Sequence, residues 1–116
     1  MDPLRALTEQ IRVFARERDW DQFHSPKNLS MALIAEAAEL LEHFQWATEA
    51  QSDALDPAKL QEVKYEVADV FIYLIRLSDR LNVDLLEAAA EKLELNRKKY
   101  PADKVRGDAR KYSDYE

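Results

Sequence analysis

Two pairs of carboxylates stand where carboxylates are hard to accommodate. The stretch AEAAELL (Ala35 to Leu41) sets Glu36 and Glu39 three residues apart, and EVADVFIYL (Glu66 to Leu74) does the same with Glu66 and Asp69. On a helix such neighbours have Cβ atoms roughly 5–6 Å apart. Leu33 precedes Glu36 by three and Leu40 follows it by four, so Glu36 rises from an apolar stripe. Glu62, Glu66, Asp69 and Tyr73 form one polar stripe on a segment whose other faces carry Val63, Val67, Val70, Phe71, Leu74 and Leu77. Buried carboxylates without partners take up protons instead of staying charged. Two antiparallel helices with these stripes would set like charges against like, and a divalent cation reverses that sign. The donors are all hard oxygens, which favours Mg²⁺ or Mn²⁺ over zinc or copper. A single acidic pair on a helix is ordinarily a solvated surface feature. Two pairs on two apolar helices point instead to a metal site. A di-iron bundle would place His three residues after Glu on two helices. His43 follows Glu39 by four, so it is read as a flanking or packing residue.

The elements that must hold these acids are punctuated by proline. Asp2-Pro3 reads as an N-cap and first helical position, and Leu4, Leu7, Ile11 and Phe14 continue one helical stripe to about Asp19. The aromatic, turn-like WDQFHSPKN follows. Ser25-Pro26 opens a second helix that runs to Trp46 or Ala47. Leu29, Met31, Leu33, Ile34, Leu40, Leu41 and Phe44 nearly encircle it, which predicts burial against several neighbours. Residues 48–56 read as a loop. Asp56-Pro57 caps a third helix to about Leu81, and Asn82 is suited to a left-handed C-terminal position. Asp84 caps a fourth helix that ends near Tyr100, because Pro101 cannot continue it. The prediction is an all-α protein, a four-helix, bundle-like domain over residues 1–100. The charged tail 101–116 is expected to pack loosely, or to order around a ligand or partner subunit.

Composition narrows the function classes. The chain has 116 residues, 47% of them apolar, enough for one domain with a core. Its net charge of −6 argues against a nucleic-acid binder, which would show a basic face. There is no cysteine, hence no disulfide or thiolate metal site. No apolar run is long enough to span a bilayer and no secretory h-region appears, so a soluble cytoplasmic protein without a membrane partner is expected. The one glycine, Gly107, leaves no phosphate-binding loop of the Walker or Rossmann type.

EAAE (Glu36 to Glu39) followed by EVAD (Glu66 to Asp69), with 26 residues between Glu39 and Glu66, resembles the ExxE…ExxD signature of MazG-like nucleotide pyrophosphohydrolases. The flanking RERDWDQFHSPKNL, HFQW, DVFIYLIRL, NRKKYP and RGDARKYSDY resemble the dCTP pyrophosphatase branch, from about Phe14 to Tyr115. The resemblance implies the MazG fold and hydrolysis of a nucleoside triphosphate to the monophosphate and pyrophosphate. It implies Mg²⁺ held by Glu36, Glu39, Glu66 and Asp69, and a homo-oligomer in which dimers pair into a tetramer.

Within that reading, water attacks the α-phosphorus in line. Glu39 is the candidate to orient or deprotonate it, or is a plain ligand beside Glu36. Lys92, Asn96 and Tyr100, spaced by four on the fourth helix, are candidate phosphate partners, with Lys99, Arg106 and Lys111 further ones. The helix dipole also attracts bases to this end and accounts for part of the pattern. Trp20, His24, Trp46 and Tyr73 are candidates for the base pocket, since a nucleobase stacks on such rings. Asp19 or Asp21 could add polar contacts, and Phe23 and Phe44 read as core plugs. The expected substrates are dCTP and its modified forms. A broader hydrolase acting on dUTP or several triphosphates, and a non-catalytic nucleotide-binding module, are the alternatives.

Overall fold

The computed structural model describes residues 2–109, all helix, turn and loop, with no strand among them. The helices are α1 (Pro3–Glu17), α2 (Pro26–Glu42), α3 (Glu49–Ser52), α4 (Pro57–Arg80), α5 (Leu85–Lys99) and α6 (Ala102–Val105), with a 3₁₀ turn at Asp21–Phe23. No described helix is long and apolar enough to cross a membrane. Residues 110–116, and with them Lys111 and the end of the predicted tail, lie outside the described residues.

Capping chemistry fixes the starts. Asp2 accepts from the Leu4 N–H, Ser25 from Asn28, Asp56 from Lys59 and Asp84 from Glu87, each at 2.9–3.1 Å. Each cap satisfies one of the donors that a helix N-terminus leaves unpaired. Proline occupies the first turn of α1, α2 and α4. Asn82 takes the left-handed conformation (φ 55°) expected of it, and Asp19 does the same at the end of α1.

Three boundaries differ from the sequence reading. α1 stops at Glu17, two residues short of Asp19. α2 stops at Glu42, and residues 43–46 turn tightly, with Phe44 and Gln45 both donating to the Leu41 carbonyl. The segment read as a loop holds α3, closed by a capping box in which Thr48 and Gln51 satisfy each other's backbone donors.

The chain divides after Asn82 into two compact units. In the first, α4 packs along α2 and against α1. Its core is Ala15, Leu29, Val63 and Ile75. An ion pair ties α1 to α4: Arg12 donates to the Asp79 carboxylate from Nε, at 2.7 Å, and from Nη2. The second unit is α5, which buries none of its residues, and the single turn α6.

The expected burial of α2 is not met among the described residues. Only Leu29 of that helix is buried. Met31, Ile34, Ala38 and Leu41, on one stripe, are exposed, Ile34 by 68% and Leu41 by 61%. α4 likewise exposes Leu60, Tyr65, Val67, Phe71 and Ile72. Among the described residues these apolar side chains stay uncovered. Phe23, read as a core plug, is exposed as well.

Candidate active site

The packing of α2 on α4 brings three acids together. Carboxylate oxygens of Glu36, Glu39 and Glu66 lie within 4.8 Å of one another. Glu36 and Glu66 are half-buried and Glu39 is exposed. Each helix contributes through its period: Glu36 and Glu39 are one turn apart on α2, and Glu66 faces them from α4.

The electrostatics of this cluster are unfavourable for protein alone. Oε2 of Glu36 and Oε2 of Glu66 are both buried without a hydrogen-bonding partner. Ionised carboxylates are acceptors only, so these two cannot satisfy each other unless one is protonated. The Glu36 carboxyl is accordingly pushed up to about 7, first by its contact with Glu66, then by burial, then by Glu39. A divalent cation among the three would supply what both Oε2 atoms lack, and an all-carboxylate donor set suits a hard ion. The residues present fit such an ion.

Asp69 follows Glu66 by three on α4 and is exposed. It falls outside the three-acid group, yet its charge and that of Glu36 both act on the Tyr73 phenol. Burial first, and those two charges second, raise the Tyr73 pKa, so the phenol keeps its proton and is a donor. Glu62, the first acid of the predicted stripe, turns elsewhere. It lies 3.4 Å from Lys59 and 3.8 Å from Nδ1 of His43, at the end of α2.

The loop between α1 and α2 is fastened to α4 further along. Arg76 donates from Nη2 to Asp21 and from Nε to Nδ1 of His24 at 3.2 Å. Burial first, and the Arg76 charge second, hold the His24 pKa below its ordinary value, which favours the neutral ring. Trp20 packs edge-on to Phe14 with centroids 5.7 Å apart, and His24 lies 6.1 Å from Trp20. The Asn28 side chain donates to the Phe23 carbonyl at 2.9 Å and closes the loop. Asp21, rather than Asp19, therefore makes the contact to α4.

The remaining candidates are placed as follows. Trp46, just past α2, is 89% exposed. Lys92 and Asn96 lie on α5 in the second unit, and Tyr100 caps it, its N–H donating to the Asn96 carbonyl at 2.8 Å. Arg106 follows α6. The residue that sequence reasoning missed is Arg76. Its signal was a lone guanidinium in the apolar run FIYLIRL, a charge that burial obliges to find partners.

The model of the MazG-like family matches residues 32–115, a span that holds all four signature acids. Curated relatives named dCTP pyrophosphatase 1 are 46% identical in Rattus norvegicus, 47% in Mus musculus and 44% in Homo sapiens. Each alignment covers 103 residues, 87% of this chain and 61% of the relative, so the chain spans about three-fifths of their length. A solved structure of a pyrophosphatase from Archaeoglobus fulgidus is 37% identical, with a TM-score of 0.83 over 87% of this chain and 94% of that one.

Proposed function

The chain belongs to the MazG-like family, and we propose that it is a nucleoside triphosphate pyrophosphohydrolase converting dCTP, and modified dCTPs, to the monophosphate and pyrophosphate. Relatives named for dCTP pyrophosphatase activity support that substrate. The observation that carries the reading is the pair of orphaned Oε2 atoms on Glu36 and Glu66, with Glu39 beside them. A protein gains nothing from such a cluster unless a cation joins it, and a cation there attracts a triphosphate.

Glu36, Glu39 and Glu66 would hold Mg²⁺ (or Mn²⁺), with Asp69 as the fourth ligand from the next turn of α4. When bound, the ion supplies charge neutralisation at the phosphates and Lewis acidity at the reacting centre. Glu39, the exposed member, orients a water for in-line attack on the α-phosphorus and takes its proton. The new bond is from the water oxygen to the α-phosphorus. The bond broken joins that phosphorus to the oxygen bridging to the β-phosphate, and pyrophosphate leaves with the electron pair. Tyr73 donates its phenol hydrogen to the substrate at the edge of the cluster. Trp20, His24 and Trp46 form the base subsite.

The exposed apolar stripe of α2 and its counterpart on α4 favour a homo-oligomer, a dimer or a pair of dimers, that covers them with a second copy. The free nucleotide pool makes the cytoplasm the fitting compartment.

Pyrophosphate release from a nucleotide panel with Mg²⁺ tests this reading. Preferential release from dCTP supports it. Equal release from dUTP and other triphosphates would favour the broader hydrolase. Binding without release from any would leave the non-catalytic module.

A further inference from the structure

Arg76 is a charged side chain almost wholly inside the molecule, at 6% exposure. A buried guanidinium is tolerable only where its donors are matched. Nη2 meets Asp21, Nε meets Nδ1 of His24, and Nη1 lies 3.9 Å from Asp79. Asp79 in turn holds Arg12, so two guanidiniums stand against two carboxylates. Charge balance therefore does not call for the imidazole. What the imidazole receives from Arg76 is a fixed hydrogen-bonding state.

Arginine has five N–H donors and no acceptor. Nδ1 of His24 must then be the unprotonated nitrogen, and the proton of the neutral ring sits on Nε2. Nε2 makes no hydrogen bond among the described residues. The ring stands beside Trp20. Glu66, Asp69, Tyr73 and Arg76 follow one another on α4 by three, four and three, so Arg76 extends the stripe that carries the acids. Asp69 and Arg76 are about 10 Å apart along the helix axis, from the 1.5 Å rise per residue.

We propose that Arg76 is a positioning residue for base recognition, locking His24 as the Nε2–H tautomer so that it presents a fixed donor beside Trp20 to N3 of a cytosine base. Cytosine N3 is an acceptor, whereas uracil and thymine carry hydrogen at that atom. A fixed donor therefore matches cytosine and opposes a second donor in dUTP or dTTP. A histidine free to exchange tautomers would accommodate either. The inference rests on the reading of the Trp20–His24 loop as the base subsite.

The test is ¹⁵N-resolved NMR of the His24 ring in the full chain, joined to kinetics. The expected wild-type state has Nε2 protonated and Nδ1 bare, with Nε2 shifted by added dCMP and less so by dUMP. A proton on Nδ1 in the wild type overturns the proposal without any variant. Arg76→Leu is expected to mix the tautomers and to lower the dCTP-over-dUTP ratio of kcat/KM about tenfold, the loss expected from one mismatched hydrogen bond. Arg76→Lys, which keeps a donor, should restore part of that ratio. A merely structural role would lower kcat/KM for both nucleotides alike, and a folded Arg76→Leu with mixed tautomers and an unchanged ratio also overturns the proposal. Absence of pyrophosphate release from every nucleotide, with Nε2 still shifted by dCMP, would strike the hydrolase reading and leave this one standing.

Discussion

Replacing Glu36 by glutamine should strengthen the metal-free protein and abolish its response to magnesium. The Glu36 carboxyl stands at about 7 in the folded chain against its ordinary 4.5, because Glu66, burial and Glu39 all oppose its charge. The folded pKa lies above the unfolded one, so the folded state binds the extra proton. The contribution of Glu36 to the stability of the metal-free protein is then greatest below about pH 4.5, declines as pH rises through about 7, and is level above it. Fully transmitted, that displacement would correspond to roughly 3 kcal/mol. Solvent reaches this half-buried site and screens it, which leaves roughly 1–2 kcal/mol. Glu36→Gln removes the charge and keeps the volume. Urea unfolding at fixed protein concentration, in EDTA at pH 5 and pH 8, should give a variant more stable than wild type at pH 8 and nearly equal to it at pH 5. Added Mg²⁺ should stabilise the wild type and not the variant. A variant weaker than wild type at pH 8 in EDTA, or one stabilised equally by Mg²⁺, would refute the reasoning.

Other consequences can be measured separately. Glu39→Gln should keep dCTP affinity and lose about 10²–10⁴ in kcat if Glu39 takes the water proton, and undiminished turnover would exclude that role. Mg²⁺ affinity by calorimetry should fall about tenfold per pH unit below pH 7, since the Glu36 proton must leave before a cation is held. Trp20→Ala should weaken nucleotide binding by roughly 1–3 kcal/mol if a base stacks there, and an unchanged affinity would remove Trp20 from the subsite. Ile34→Asp, in the middle of the exposed α2 stripe, should shift sedimentation towards the single chain. An unaltered profile would place the subunit contact elsewhere.

Local chemistry made much of the fold legible. Asp2, Ser25, Asp56 and Asp84 cap the helices they were expected to cap, because a short acceptor before a helix has one strongly favoured use. Asn82 was readable for the same kind of reason, since few side chains tolerate a positive φ. The early end of α2 was not readable: no proline or glycine follows Glu42, and the chain turns there through its own backbone bonds. The Thr48–Gln51 box was present in the sequence but had no apolar run behind it to suggest a helix. Burial of α2 was overread, because an apolar helix reports that it needs neighbours and not whether one chain provides them. Of the site, the Glu36, Glu39 and Glu66 grouping follows from helical period and pairing of two acidic segments. The Arg76 network does not, because its partners Asp21 and His24 lie more than fifty residues away and only the folded chain brings them together.

The most direct test of the metal site is a crystal soaked in Mn²⁺ and measured at the manganese absorption edge. An anomalous peak among Glu36, Glu39 and Glu66, at roughly 2.0–2.6 Å from their carboxylate oxygens, is the predicted result. Well-ordered carboxylates with no peak between them, at Mn²⁺ concentrations that support pyrophosphate release, would contradict it.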